Sequence, residues 1–173
     1  MDLESKAQAI NTLILDIDGV LSDGRVGYGE TDSEIKFFDV KDGHGLKLLM
    51  RADFTVGLLS GRGSNANRTR AAELDVAFLY ENKKNKLETF HELLEEHDLQ
   101  ADQCLYVGDD LVDIPVMREC GLSVAVNDAV TEVKQIADWI TEKPGGRGAV
   151  REVCEWLLKS RNKWQEVTAR YLC

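Results

Sequence analysis

The chain has 173 residues, with Lys+Arg 21 against Asp+Glu 31 for a net charge of −10, and is 43% hydrophobic and 30% charged. That length suits one domain with a well-buried core, and the composition shows no bias toward disorder or fibre. The acidic balance and the lack of basic runs exclude a general nucleic-acid surface, which requires clustered cations against phosphate.

The opening Met1-Asp2-Leu3-Glu4 carries no cationic stretch, and the first apolar run, Leu13 to Leu15 with Ile17, is too short for a signal peptide or membrane span. A soluble, cytoplasmic protein forming one domain over residues 1–173 is expected, with no membrane partner. Short aliphatic or β-branched runs at Ile10–Leu15, Thr55–Leu59, Val76–Leu79, Cys104–Val107, Leu122–Val126 and Asp138–Ile140 read as strands buried on both faces. Between most of them lie helical patterns. Leu87, Phe90, Leu93 and Leu94 form one stripe over Lys86–Glu96, and Val150, Val153, Trp156 and Leu157 repeat it near the end. The alternation predicts an α/β fold: a single Rossmann-like parallel sheet, right-handed crossovers, and helices on both faces. Ligands of such sheets bind beyond the carboxyl ends of the strands.

One stretch breaks the pattern. Ser22–Val40 contains Gly24, Gly27 and Gly29 and then the alternating Glu34-Ile35-Lys36-Phe37-Phe38, which predicts a β-hairpin flap rather than a domain. Two prolines and no repeat leave no obvious linker. Cys104, Cys120, Cys154 and Cys173 show no C-x-x-C pairing and are expected to be reduced and unligated.

Polar residues collect where the predicted strands end. Asp16 and Asp18, at i and i+2 in extended chain, fall on one side as the first strand closes. They read either as a reactive pair or as turn and capping residues. Gly108-Asp109-Asp110-Leu111-Val112-Asp113 follows another apolar strand, so several carboxylates meet at one sheet edge. Crowded carboxylates raise one another's pKa, and a cation such as Mg²⁺, which takes oxygen ligands, is the natural compensation. Asp109 leaves the strand directly and is the better ligand candidate; Asp113 with Pro115 also fits a helix N-cap. Ser60-Gly61-Arg62 closes a third strand with a hydroxyl, backbone N–H groups and a guanidinium suited to phosphate, or else with a capping Ser and a solvated Arg. Lys83, Lys84 and Lys86 sit at a helix start, where the macrodipole disfavours cations; Lys86 is the candidate to balance phosphate and aspartate charge.

The order Asp-x-Asp-Gly-Val, Ser-Gly-Arg, Lys, Gly-Asp-Asp-x-x-Asp resembles the haloacid dehalogenase superfamily of phosphohydrolases, with all four of its motifs present. Asp39–Lys47, the Gly108–Met117 run and Gly145–Glu152 are similar to the 3-deoxy-D-manno-octulosonate 8-phosphate phosphatases, over residues 10 to 160. The resemblance implies hydrolysis of that sugar-acid phosphate, a step of lipopolysaccharide precursor synthesis. It makes Asp16 nucleophile and Mg²⁺ ligand, Asp18 general acid then base with a ligating backbone carbonyl, and Asp109 the remaining protein ligand. Ser60 and Lys86 would hold the phosphoryl group, with Asp110 and Asp113 supporting the ligands. Substrate contacts would come from Asp18, Asp39, Val40, Lys41, Asp42, Gly43, Lys47, Arg62, Arg70 and Lys86. Lys47 stands where that family often has arginine, which keeps the charge but loses a bidentate grip; phosphatases of nine-carbon sialic-type sugar acids share the scaffold.

Asp18 to Ser60 leaves room only for the flap and one helix, so no cap domain is expected. Phospho-enzyme chemistry profits from a shielded pocket. A neighbouring subunit is therefore expected to cover it in a homotetramer, through Gly145–Ala149 or the residues after Arg161. A receiver-like phospho-acceptor signalling domain is the alternative of another class. Its motif order differs, since receivers pair acids on the first strand and accept phosphate on a later one.

Overall fold

The computed structural model describes residues 2–29 and 34–172. In chain order these form α1 (Leu3–Ala9), β1 (Thr12–Leu15), β2 (Gly27–Tyr28), β3 (Glu34–Ile35), α2 (Val40–Met50), β4 (Thr55–Leu59), α3 (Asn65–Leu74), β5 (Phe78–Tyr80) and α4 (Lys86–Glu96). Then follow β6 (Cys104–Gly108), α5 (Ile114–Met117), β7 (Leu122–Ala125), α6 (Thr131–Ile136), β8 (Trp139–Ile140), α7 (Ala149–Ser160) and α8 (Trp164–Thr168). Among the described residues no helix is long and apolar enough to cross a membrane.

Six strands form one parallel sheet in the order β5-β4-β1-β6-β7-β8. Central β1 is buried at every residue, with Leu13 opposite Val56 on one side and Leu105 on the other. Burial on both faces is why these strands read as continuous apolar runs rather than alternating ones. The chain runs from β1 outward to β5 and then returns to β6. That reversal puts α2 and α3 on one face and α4, α5 and α6 on the other, since crossovers keep one hand. It also opens a crevice beyond the ends of β1 and β6.

The expected strand edges shift by two residues at the starts of β1 and β5 and by one residue at several other ends. Ile10 caps α1, its N–H donating to Ala7 O, so β1 begins only at Thr12. Val76 N still donates to Ala71 O at the end of α3, past a left-handed Asp75, so β5 begins at Phe78. The expected flap is present as the antiparallel pair β2–β3, closed at its base by the bridge Ser22–Phe38; residues 30–33 lie outside the described residues. Its faces are inverted relative to a globular hairpin. Lys36 is buried, while Ile35 is 48% and Phe37 61% exposed. Cys104, Cys120 and Cys154 are free thiols; Cys173 lies outside the described residues.

Two of the singled-out segments pack inside the chain, and one of them, Asp42, corrects an expectation. The Gly145–Ala149 loop is spent inside its own chain: a Cβ on Gly145 would sit 1.6 Å from Gly19 O, and Gly146 N donates to Val20 O at 2.8 Å. It therefore buttresses the β1 loop, with the Arg147 side chain left 62% exposed on its outer side. Asp42 is fully buried, and its carboxylate accepts from Gly148 N (3.1 Å) and Arg151 N (2.7 Å), tying α2 to the start of α7. Both of its oxygens are occupied there, so the side chain has no reach to substrate. Burial pushes its pKa up to about 6, against those two bonds. Asp42→Ala is expected to cost about 3 kcal/mol by orphaning two N–H groups. Urea unfolding measures this, and a loss under about 1 kcal/mol would mean the loop is anchored elsewhere.

Candidate active site

Three strand ends and the start of α4 deliver the polar residues. Asp16 follows β1, its N–H donating to Val107 O at 3.1 Å and its side chain 8% exposed. The chain then turns through Gly19 at φ +93°, where a Cβ would lie 2.1 Å from Asp109 Oδ2. Only glycine allows both that backbone and that approach of the two acidic segments. Ser60, at the end of β4, is buried and accepts from Arg62 N through Oγ at 3.2 Å. The cap of α3 is Ser64, which accepts from Asn67 N, so Ser60 is not a helix cap. Lys86 is the first residue of α4 and is buried, whereas Lys83 pairs with Glu92 and Lys84 is exposed.

Asp16, Asp18, Ser60, Arg62, Lys86 and Asp109 line one cleft, with Asp110 and Val112 beside them. Lys86 Nζ lies 2.9 Å from Asp16 Oδ1 and 2.6 Å from Asp113 Oδ1. Asp113 is fully buried and also accepts from Tyr106 OH (2.7 Å), Asp109 N (3.0 Å) and Asp110 N (3.2 Å). It makes no side-chain capping bond to α5, although Pro115 stands in that first turn; it holds Lys86 and the Asp109 loop instead. Asp110 is exposed and accepts from Leu111 N at 2.7 Å.

Burial raises the Asp16 pKa to about 6, Lys86 opposing. Burial, then Asp16 and Asp113, raise Asp109 to about 8. Lys86 is itself raised: burial works against its charge, and Asp16 with Asp113 outweigh it. Carboxyl atoms of Asp16, Asp109 and Asp113 all lie within 4.8 Å. Asp113 is already saturated with donors, while Asp109 Oδ1 is buried without a hydrogen-bond partner. An oxygen-only pair, Asp16 and Asp109, with an orphaned buried oxygen thus fits a hard divalent cation such as Mg²⁺.

The linked pH behaviour has a definite sign. Up to about pH 6 for Asp16 and about pH 8 for Asp109, the folded protein without metal keeps protons that the unfolded chain releases near 3.8. Their stabilising contribution is full below that value and is lost as pH rises through about 6 and then about 8. The melting temperature of metal-free protein is expected to fall from pH 5 to pH 8, with added Mg²⁺ recovering more at the higher pH. Calorimetry with and without the ion checks this; a flat profile would contradict the crowding.

Sequence reasoning missed two buried groups. Tyr106 OH holds Asp113, and the signal was a tyrosine inside an aliphatic strand, whose hydroxyl needs a partner. Lys36 Nζ, from the flap, lies 2.6 Å from Asp18 Oδ1, set off-axis for a hydrogen bond. By contrast, Asp39, Val40, Lys41, Asp42, Gly43, Lys47 and Arg70 do not line the cleft within the chain. Asp39 caps α2 through Lys41 N, and Val40 is 80% exposed. Gly43 is buried and Lys47 half-buried in α2. Arg70 donates to Asp39 O at 3.2 Å and stacks over Phe38.

A doubly wound parallel sheet whose switch point gathers an aspartate pair, a serine, a lysine and a second acidic loop defines a phosphohydrolase-like site. The chain belongs to the haloacid dehalogenase-like hydrolase family, whose profile matches residues 62–153. It is 45% identical over 165 residues to the 3-deoxy-D-manno-octulosonate 8-phosphate phosphatase of Escherichia coli, covering 95% of this chain and 88% of that protein. A crystal structure of the phosphatase of that name from Yersinia pestis superposes with TM-score 0.91 at 42% identity, over 94% of this chain and 88% of that one. The one from Moraxella catarrhalis, in complex with a magnesium ion, a phosphate ion and a KDO molecule, gives TM-score 0.94 at 35% identity over 97% of each chain.

Proposed function

We propose that this protein hydrolyses 3-deoxy-D-manno-octulosonate 8-phosphate to the free sugar acid and phosphate through a phospho-aspartate on Asp16. The observation that carries the reading is Lys86 Nζ lying 2.9 Å from Asp16 Oδ1 in a nearly water-free setting, beside the unpartnered Asp109 Oδ1. A carboxylate attacking a phosphate dianion is repelled, and a fixed ammonium at that distance offsets the charge without reorganising. Asp16, Asp109 and the Asp18 backbone carbonyl would hold Mg²⁺, which supplies further neutralisation of the phosphoryl oxygens when bound. Ser60 Oγ and the adjoining backbone N–H groups orient the phosphoryl group. Asp18 gives a proton to the leaving oxygen and later takes one from water, the double duty that two-step hydrolysis requires. Asp113 holds Lys86 in place, and Asp110 closes the loop beside it.

A homotetramer in which a neighbour covers the cleft completes this reading. Among the described residues the flap, α2 and β4 are the elements between Asp18 and Ser60, and the flap turns Tyr28, Ile35 and Phe37 outward, with Val40 at the start of α2 also exposed. Such an apolar face is what a subunit contact would bury. Substrate contacts from Asp39, Val40, Lys41, Gly43, Lys47 and Arg70 would then come across that contact, since these residues stand outside their own cleft. Sedimentation showing a fully active monomer would refute the assembly.

The substrate is tested by comparing phosphate release from the octulosonate 8-phosphate, nine-carbon sugar-acid 9-phosphates and hexose phosphates. Preference for the first is expected. Preference for a nine-carbon acid would reassign the sugar but keep the reaction, and a stable acyl phosphate without turnover would point to a receiver.

A further inference from the structure

The flap carries a buried lysine that the catalytic scheme above leaves unused. Lys36 has no exposed side-chain surface, although its strand neighbours Ile35 and Phe37 face solvent. Its ammonium touches three separate segments. It lies 2.6 Å from Asp18 Oδ1 in the β1 loop and donates to Asn67 Oδ1 on α3 at 2.9 Å. It is also 3.9 Å from Glu34 Oε2 on its own strand. Glu34 in turn pairs with Arg62, and Asn67 Nδ2 donates to Arg62 O at 3.2 Å. The flap is thus stapled to both the Asp18 loop and the Ser60–Arg62 loop by alternating charges. A lysine is rarely buried so fully without a reason specific to its partners.

We infer that Lys36 is a positioning residue for Asp18, docking the flap and fixing the carboxyl so that one oxygen meets the reacting ester. Both Asp18 oxygens are buried without a hydrogen-bond partner, and Oδ1 is the one paired with the Lys36 ammonium at 2.6 Å. Oδ2 is therefore the oxygen left to carry the proton. As the Asp16 oxygen bonds to phosphorus, the bond from phosphorus to the ester oxygen breaks. Its electron pair stays on that oxygen, and the proton moves there from Asp18 to release the alcohol. In the second half, water attacks phosphorus, its proton passes to Asp18, and the phosphorus bond to Asp16 breaks. Both halves need the carboxyl oxygen held within hydrogen-bond reach in one orientation. A free Asp18 rotates out of it.

The inference rests on Asp18 acting as the acid, and leaving-group dependence separates the two claims. An alkyl phosphate such as the sugar-acid phosphate expels a strongly basic oxygen and needs the proton, whereas p-nitrophenyl phosphate expels a weakly basic one and hardly does. In Lys36→Met, kcat/KM for the alkyl ester is expected to fall at least about tenfold further than for p-nitrophenyl phosphate. Lys36→Arg should restore much of the ratio, and Asp18→Asn should show the same bias more strongly. A flap that merely supports the fold would lower both substrates equally, and equal losses in Lys36→Met would overturn the inference while a biased Asp18→Asn kept the acid assignment. No bias in Asp18→Asn would bring down both. Should Lys36→Met fail to fold, Asn67→Ala releases the same ammonium and must move the ratio in the same direction; an unchanged ratio there also overturns the inference.

Discussion

Asp16→Asn is expected to abolish phosphate release, lowering kcat by at least about 10⁴-fold, as loss of a covalent nucleophile does when the rest of a site remains. The amide keeps the size of the side chain, and Lys86 retains Asp113 at 2.6 Å, so the fold should persist. The variant should give no acid-trappable phospho-enzyme with either an alkyl or an aryl ester. Rapid quench followed by mass measurement of the labelled peptide makes the check. Residual turnover above about one per cent of wild type, or a phosphorylated peptide that excludes residue 16, would place the nucleophile elsewhere.

Lys86→Met should damage stability as well as activity. The ammonium is the charged partner of Asp16 and of fully buried Asp113, and methionine leaves both carboxylates facing an apolar neighbour. Breaking a buried pair from one side costs about 3–5 kcal/mol, because the remaining charge stays desolvated. Turnover should fall by about 10²–10³-fold from the lost stabilisation of the transferring group. Mg²⁺ is expected to recover part of the stability, since it replaces positive charge beside Asp16, but little of the rate. Urea unfolding with and without the ion, alongside kcat, tests the pair. A stability change below about 1 kcal/mol would mean that Lys86 is not the group neutralising this cluster.

Much of the site was legible because its residues sit at fixed places relative to strands. Asp16, Ser60 and Asp109 each follow a buried apolar run, and parallel strands end at a common edge. Lys86 stood out by a local conflict, a cation at a helix N-terminus, and the structure resolves it through Asp16 and Asp113. Asp113 was only half legible. Its spacing before Pro115 matches an N-cap, but four donors from β6, α4 and the Asp109 loop claim its oxygens. The bonds from Asp109 N and Asp110 N are local, but no local pattern encodes the Lys86 ammonium that arrives from α4, 27 residues away.

The parallel α/β alternation, the meeting of the acidic segments at one sheet edge and the choice of lysine were thus determined by the sequence alone, because periodicity and strand-end chemistry are short-range properties, whereas strand order came only with the structure. Which way the flap faces was decided only by tertiary structure. The alternation over Glu34–Phe37 specifies a period of two but not its phase, and a buried carboxylate at Asp18 draws Lys36 inward while the apolar residues turn out. The same holds for Asp42, whose motif reads as ligand-binding while its carboxylate bonds Gly148 and Arg151, more than a hundred residues away. Long-range packing assigns such polar groups their partners, and desolvation makes the assignment binding.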